Sequence, residues 1–441
     1  MRQLSDLLRH VQQALRKPQP INAGFRQITH SLVISEAAEL LPWLATQPVY
    51  PQFYWQHRQD NEEAAVCGRV CGFHHIQDAE AFLTRQKCAR NVRIWGLNAF
   101  NQTSQSAQGA SPSYLFLPRV ELLRQGNTLS LQINLYSETS LQQDAEEASA
   151  FINFLLPMRP QPPLQTQIEK IEHQPDRQRW GSLLQLALRD IAAGAMEKVV
   201  LARATTLTLD RPLQATTFMA ASRAANHRCF HFMLAHDARQ AFLGSSPERL
   251  YRRCDERLET EALAGTAASD KDANKTAALA DWLMKDTKNQ CENMMVVDDI
   301  CQRLRRSARS LDVMPPEIIR LRKVQHLRRA ILAELKERSD AVCLDDLQPT
   351  AAVAGLPRDV ARRFIAEHEP FERGWYAGSA GYLSLQQSEF CVALRSAEIS
   401  DNILKLYAGA GILAGSDPEQ EWLELENKAA GLKSLLEGDM S

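Results

Sequence analysis

LYAGAGILAGSDPEQEWLELENKAAGL, residues 406–432, begins as an apolar strand, passes a glycine-spaced turn and continues into a helix that carries acids. Ser416-Asp417-Pro418 is the start signal, since a side-chain oxygen caps free amides and proline suits the first helical turn. A helix is therefore predicted from near Pro418. Along it Glu421, Glu424 and Lys428 fall at i, i+3 and i+7 on one face, while Trp422, Leu425 and Ala429 take another. The plainer reading of the charged face is solvation, with an i,i+4 ion pair between Glu424 and Lys428. The glycines favour a second one: Gly409-Ala410-Gly411 lets backbone approach a ligand and offers amides to an anion, beside acids able to hold a cation.

Before this stretch come the strand-like runs AGSAGYLSL, EFCVALRSAEI and ILKLYAGAG, and before those long helical patterns: Asn274 to Arg306, VQHLRRAILAEL at 324–335, and a turn and helix from QPTAAVAGLP. Hairpin-connected strands interspersed with long helices predict an α+β layered protein rather than a βαβ sheet. The first 163 residues repeat the style. An amphipathic helix carrying Leu4, Leu7, Leu8, Val11 and Leu15 leads into the strand-like SLVISEA, PVYPQFYWQHR, AAVCGRVCGF, NVRIWGLNAF, LFLPRVELLRQ and NTLSLQINLYS. Asn98 to Ser113 is polar and predicts a surface loop, and a helix follows over Asp144 to Leu156. Pro157 to Pro163 marks a seam, after which a helix over Trp180 to Ala195 and the strand KVVLARATTLTL open a second half. Residues 1–163 and 178–436 are thus expected as two halves of a single 1–441 unit.

Charge is balanced, 51 basic against 53 acidic residues in 441, so no global field favours nucleic acid or an anionic membrane; a small-molecule ligand is the better match. No run is long enough to span a bilayer, and the amphipathic N-terminus is not a signal peptide's unbroken apolar core. Nine cysteines, an odd number without pairing rhythm, read as reduced residues of a cytoplasmic protein. Cys67, Cys71, His74 and His75 mimic a zinc cluster, but the spacing is poor for zinc and packing is the preferred reading. The basic run from Arg303 to Arg329 reads as a solvated helix face, since nothing aromatic interleaves with it.

Several residues fit chemistry. Glu292 lies beside an apolar helix face expected from Cys291, Met294, Met295 and Cys301, and with Glu424 would give magnesium two oxygen ligands, the rest of its shell being water and an anionic substrate. Lys198 shares a strand face with Val200 and Ala202; it is a strand-edge lysine left in solvent, or, buried near another cation, an amine able to take a proton from water. Glu248, after the Gly-Ser-Ser-Pro turn of an expected hairpin, is a turn acid or, near apolar groups, a proton donor. Arg395 occupies an almost wholly apolar expected strand, where its planar fork suits a carboxylate. Tyr376 is a hydroxyl donor or a core tyrosine.

Taken together, KVVLAR, GSSPERL, Ala264-Gly265-Thr266, ENMMVVD, His326-Leu327, PTAAVAGLP, YAGSAGY, VALRSA, GAGI and SDPEQEWLELENK, in that order from about Trp180 to Leu436, resemble the chorismate-utilising enzymes. The resemblance implies a large layered antiparallel sheet core with helices packed outside. Ammonia-using members of that family typically carry glutamine where this chain has Lys198, and the aminodeoxychorismate branch a nucleophilic lysine where it has Ala264. A water-adding member is therefore implied, with YPQFYWQ and RIWGLNAF most like the isochorismate synthases of the menaquinone pathway. ALAGT, Gln348 and Asp298-Asp299-Ile300 depart from the pattern of many relatives.

By resemblance, water activated by Lys198 attacks C2 of chorismate while Glu248 protonates the departing C4 hydroxyl. Mg²⁺ is held by Glu292 and Glu424 with Glu421 nearby, and Arg395 and Tyr376 hold the enolpyruvyl carboxylate. Gly265, Thr266, His326, Gly409, Ala410, Gly411 and Lys428 complete the substrate site, and no glutaminase subunit is expected. The same residues leave a salicylate synthase, a siderophore-pathway isochorismate synthase and a non-catalytic chorismate-binding subunit as alternatives.

Overall fold

The computed structural model describes residues 2–34, 39–102, 111–269 and 272–437. The middle of the expected 98–113 loop and the end of SLVISEA lie outside these residues. All twenty strands among the described residues belong to one hydrogen-bonded antiparallel network that folds into two layers. The first layer runs, in spatial order, through strands Gly24–Val33, Thr128–Ser137, Ser113–Gln125, Glu62–Phe73, Gln52–Gln56, Phe230–Ala235, Gln240–Ser246, Ser396–Ser400, Ile403–Ile412, Lys198–Leu209 and Ile168–Gln174. The second branches from Ser113–Gln125 through Ile94–Asn98, Ser379–Leu383, Gln387–Val392, Arg249–Cys254, Arg257–Ala268 and Val324–Leu335.

Aromatic side chains fill the space between the layers. Trp55 of the first stands 6.5 Å from Trp95 and 6.3 Å, edge to face, from Tyr382 of the second. The opposite face of the first layer is sealed by helices Arg2–Leu15, Leu41–Ala45, Leu141–Asn153 and Ala215–Ala225, whose Leu7, Trp43, Ala145 and Phe218 join Tyr54, Leu131 and Met233 in a second apolar core. Strands of residues 1–163 and 178–436 share the same sheets: Gln52–Gln56 pairs with Phe230–Ala235, and Ile94–Asn98 with Ser379–Leu383. Among the described residues no helix is long and apolar enough to cross a membrane, and all nine cysteines are free thiols. A bulge between Arg69 and Cys71 turns Cys67 and Cys71 to opposite apolar cores.

Two expected helices differ. Val324–Leu335 is a strand of the second layer, where Ile331, Ala333 and Leu335 are buried between exposed Leu332 and Glu334. Its period is 2, and three neighbouring strands pair with it, which overrides the helical propensity of its leucines and arginines. The arginines of that region consequently do not form a solvated helix face; Arg328 pairs with Glu261 and Glu317. The pattern from Asn274 to Arg306 breaks into helices Ala273–Lys285 and Thr287–Leu304 at Asp286, whose carboxylate caps the second by accepting from the Asn289 amide.

Candidate active site

Two of the expected site residues stand where the chain changes layers. Strand Gln240–Ser246 lies in the first layer and Arg249–Cys254 in the second, so Pro247-Glu248 is a crossing rather than a hairpin turn. Strand Gln387–Val392 and strand Ser396–Ser400 divide in the same way at Arg395, which has φ 44° and interrupts the expected strand. The two crossings are bonded to each other: the Val392 amide donates to the Glu248 carbonyl at 3.0 Å, and the Ser245 amide to the Arg395 carbonyl at 3.1 Å. Strands that switch sheets open the corner between them, and a cleft lies there.

Strand Lys198–Leu209 and its partner Ile403–Ile412 form one wall. Val200 pairs with Gly411 and Ala202 with Gly409, so Lys198, Val200 and the two glycines share a face. Both glycines are needed for their missing side chain. A Cβ on Gly411 would stand 3.0 Å from both Glu292 Oε1 and Lys198 Cε, and one on Gly409 would stand 2.7 Å from the Tyr376 hydroxyl. They lie inside the strand, not in a turn, and Ala410 between them buries its methyl on the opposite face, away from the cleft. Lys198, almost fully buried, donates to Glu292 Oε1 at 2.9 Å. Burial pushes the Glu292 carboxyl up, but Lys198, with Lys428 and Lys288 farther off, outweighs it and holds Glu292 below the usual range.

Glu292 is aimed by its neighbour. Buried Asn293 donates to the carbonyls of Ala262, Ala264 and Leu327 at 3.2, 3.1 and 3.0 Å, pinning helix Thr287–Leu304 to the second layer. The buried face is Asn293, Val296, Val297, Ile300 and Leu304, so the expected face of Cys291 and Met294 points outward; the polar anchor sets the rotation. From the closing helix Pro418–Lys433, capped by Asp417 as expected, Lys428 donates to the Gly409 carbonyl at 2.9 Å and pairs with Glu424 at 2.6 Å.

Arg395 is half-buried and has no carboxylate in ion-pair contact among the described residues. Its guanidinium donates to His326 Nε2 at 2.7 Å. Arginine only donates, so Nε2 accepts and the proton sits on Nδ1, 3.2 Å from the Thr266 hydroxyl. Burial first, and the neighbouring Arg395 second, hold His326 well below the ordinary histidine range, which keeps it the neutral acceptor. Gly265, at φ 87°, lies in the bulge that shifts register between Leu263 and Thr266 and passes against Asn289. Tyr376 is buried and stacks on Tyr407 with centroids 5.1 Å apart. Arg395, a cation with no carboxylate in ion-pair contact among the described residues, is the feature that calls for an anionic ligand.

Glu248 is buried, and its Oε1 has no hydrogen-bond partner. Burial, then the charge of nearby Glu261, raise its pKa against the pull of Lys198, Lys428 and Arg58, to about 8. One cleft therefore holds a carboxyl that keeps its proton at neutral pH and a guanidinium with no carboxylate in ion-pair contact among the described residues, and buried Lys198 reaches it through Glu292.

Residues 12–437 match the family described as Chorismate binding enzyme. The chain belongs to the chorismate-binding enzyme family. It is similar to Isochorismate synthase MenF of Escherichia coli (strain K12), 53% identical over 434 residues and covering 98% of each chain. The solved structure of that menaquinone-specific isochorismate synthase matches with TM-score 0.94 over 98% of this chain and 99% of the other. Isochorismate synthase MenF of Haemophilus influenzae is 39% identical over 422 residues, 94% of each chain. Anthranilate synthase component I from Streptococcus pneumoniae, 19% identical with TM-score 0.61 over 94% of this chain and 93% of that one, shares the fold.

In this chorismate-binding enzyme the cleft is lined by Glu248, Gly265, Thr266, Glu292, His326, Tyr376, Arg395, Gly409, Gly411, Glu424 and Lys428. Glu421 is buried behind Glu424, and burial and the Glu424 charge raise its pKa to about 7 against a bond from Ser416. Among the described residues no three His, Cys, Asp or Glu side chains gather into a metal-holding group. Glu292 and Glu424 nonetheless face one cleft, and the repulsion between Glu421 and Glu424 is what a divalent cation would relieve. Two carboxylates completed by water and substrate oxygens suit magnesium. Sequence reasoning missed Tyr407, Leu394 and Val353 in the lining, and Arg58 and Glu261 behind Glu248. Glu261 had a signal, a glutamate directly before the apolar ALAGT run; Arg58 comes from the distant first half and had none.

Proposed function

We propose that this enzyme is an isochorismate synthase of menaquinone biosynthesis, acting in the cytoplasm on chorismate with Mg²⁺ and without a glutaminase partner. The observation that carries it is a Glu248 carboxyl that keeps its proton at neutral pH in a cleft whose Glu292 is bonded to buried Lys198. Lys198 takes a proton from water as the water oxygen bonds to C2 of the ring. The two ring double bonds shift in turn, C1=C2 to C1=C6 and C5=C6 to C4=C5, the C4–O bond breaks, and Glu248 supplies the proton with which that oxygen leaves as water. The net change is an isomerisation.

Arg395, which lacks a carboxylate partner, and the Tyr376 hydroxyl hold the enolpyruvyl carboxylate, while Gly409 and Gly411 leave room for the ring. Thr266 and neutral His326 keep Arg395 oriented, Gly265 brings that strand close, and Lys428 balances the Glu424 charge. Bound by Glu292 and Glu424, with Glu421 behind them, Mg²⁺ would supply positive charge for the ring carboxylate. Ala264 offers no amine for an aminated product. Incubation of the full chain with chorismate and Mg²⁺, without ammonia, is expected to give isochorismate by product NMR. Salicylate with pyruvate, an aminated ring, or no turnover would overturn the proposal.

A further inference from the structure

The two peptide groups flanking Glu248 are held by one buried ion pair. Arg58 Nη1 donates to the Pro247 carbonyl at 2.9 Å, and the Arg249 amide donates to Glu261 Oε1 at 2.7 Å. Arg58 and Glu261 in turn form a two-pronged pair, Nη1 to Oε1 at 2.6 Å and Nη2 to Oε2 at 2.9 Å. The Glu261 side chain is 1% exposed and that of Arg58 10%, so the pair works with little water to screen it. The side chain between those peptide groups has a buried oxygen, Oε1, with no partner.

Neighbouring contacts extend the clamp. Arg328 reaches the other oxygen of Glu261 at 3.2 Å, and Arg249 is tied to Glu389 at 3.0 Å. His57, adjacent to Arg58 in the chain, lies 3.4 Å from the same Glu389 oxygen. The His57-Arg58 dipeptide of the first half thus grips two carboxylates of the second half on either side of the crossing that carries Glu248.

We propose that Arg58 and Glu261, one from each half of the chain, are the positioning pair for the proton-donating carboxyl of Glu248. This rests on the acid role given to Glu248 above. The pair acts through the backbone and through charge: an ion pair bound to both flanking peptide groups limits where the carboxyl can swing, and small misplacements of a reacting group are costly in rate. The charged groups facing Glu248 are Glu261 and Arg58 from this pair, Lys198 from the strand wall, Lys428 from the closing helix and Arg395 from the second crossing. Glu261 favours the protonated carboxyl and Arg58 the ionised one, so removing each moves Glu248 in opposite directions.

The test is kcat and KM for chorismate against pH in the full-length, Mg²⁺-loaded enzyme, for Glu261→Gln, Arg58→Met and Arg58→Lys. Near-UV circular dichroism reports folding. Expected for the first two is a kcat at least about tenfold lower with KM within about threefold. The alkaline limb of kcat moves down by about one pH unit in Glu261→Gln and up by about one in Arg58→Met. Arg58→Lys keeps the charge but not the fork; the expected result is a limb near the parent's and a kcat several-fold lower. Unmoved limbs in folded Glu261→Gln and Arg58→Met, or losses confined to KM, would overturn the pair. If those two do not fold, Arg58→Lys decides, and a parental kcat in it would overturn the pair as well. Glu248→Gln, run alongside, separates the two layers. Substantial turnover in it would remove the acid role itself, whereas an inactive Glu248→Gln with unmoved limbs in the folded pair variants would remove only the positioning role.

Discussion

At Glu248, burial and the Glu261 charge act together to keep a proton on a carboxyl that in water would lose it near pH 4 to 5. A group raised to about 8 can donate through neutral pH and ceases to above it, so kcat is expected to fall on the alkaline side from about pH 8. A kcat flat to pH 10 would remove the acid assignment. Glu248→Gln and Lys198→Ala are each expected to lower kcat by about 10²-fold or more while near-UV circular dichroism stays parental. Near-parental rates in either would refute its role. Gly409 carries a different prediction. Its added methyl would meet the Tyr376 hydroxyl at 2.7 Å, so Gly409→Ala is expected to lower kcat/KM about tenfold or more, with a small change in Tm. Steady-state kinetics equal to the parent's would show that this wall has slack. None of these distances is visible from spacing alone; the sequence shows only that a small residue recurs at alternate positions of a strand.

Helix Thr287–Leu304 shows how an element can be recognised and still be turned the wrong way. Its apolar residues permit more than one rotation, and the one adopted is set by Asn293, whose amide reaches three carbonyls of the second layer. Asn293→Ala would leave those carbonyls buried without that donor, a loss of about 2–3 kcal/mol expected in urea unfolding. Because Glu292 is adjacent, kcat is expected to fall too; a stability change under about 0.5 kcal/mol would contradict the anchoring role. Val324–Leu335 went unrecognised as a strand for a related reason. Three pairing partners, Arg257–Ala268, Ala308–Val313 and Glu317–Arg320, decide its conformation, and the propensity of its own residues does not contain them. By contrast, the helix after Asp417 was legible because its cap, proline and first-turn acids are all local signals.

Across the whole molecule, pairing between Gln52–Gln56 and Phe230–Ala235 and between Ile94–Asn98 and Ser379–Leu383 places the two halves in common sheets. We propose that they fold as one unit. Residues 1–163 produced alone are then expected to show no cooperative unfolding transition by circular dichroism, because their central strands lose partners and His57 and Arg58 lose Glu389 and Glu261. A cooperative transition in that fragment would refute the single unit.

What the sequence by itself determined is the capped helix behind 406–412, the α+β class and the set of residue types a dianionic ligand requires, because caps, periodicity and ordered motifs are short-range information. What only the tertiary structure decided is which of those residues face one another. Glu248 and Arg395 meet at two layer crossings, Gly409 and Gly411 act by leaving space, Ala410 turns away, and Arg58 reaches Glu248 from the other half. These follow from sheet order and burial, which depend on pairings between residues far apart in the chain.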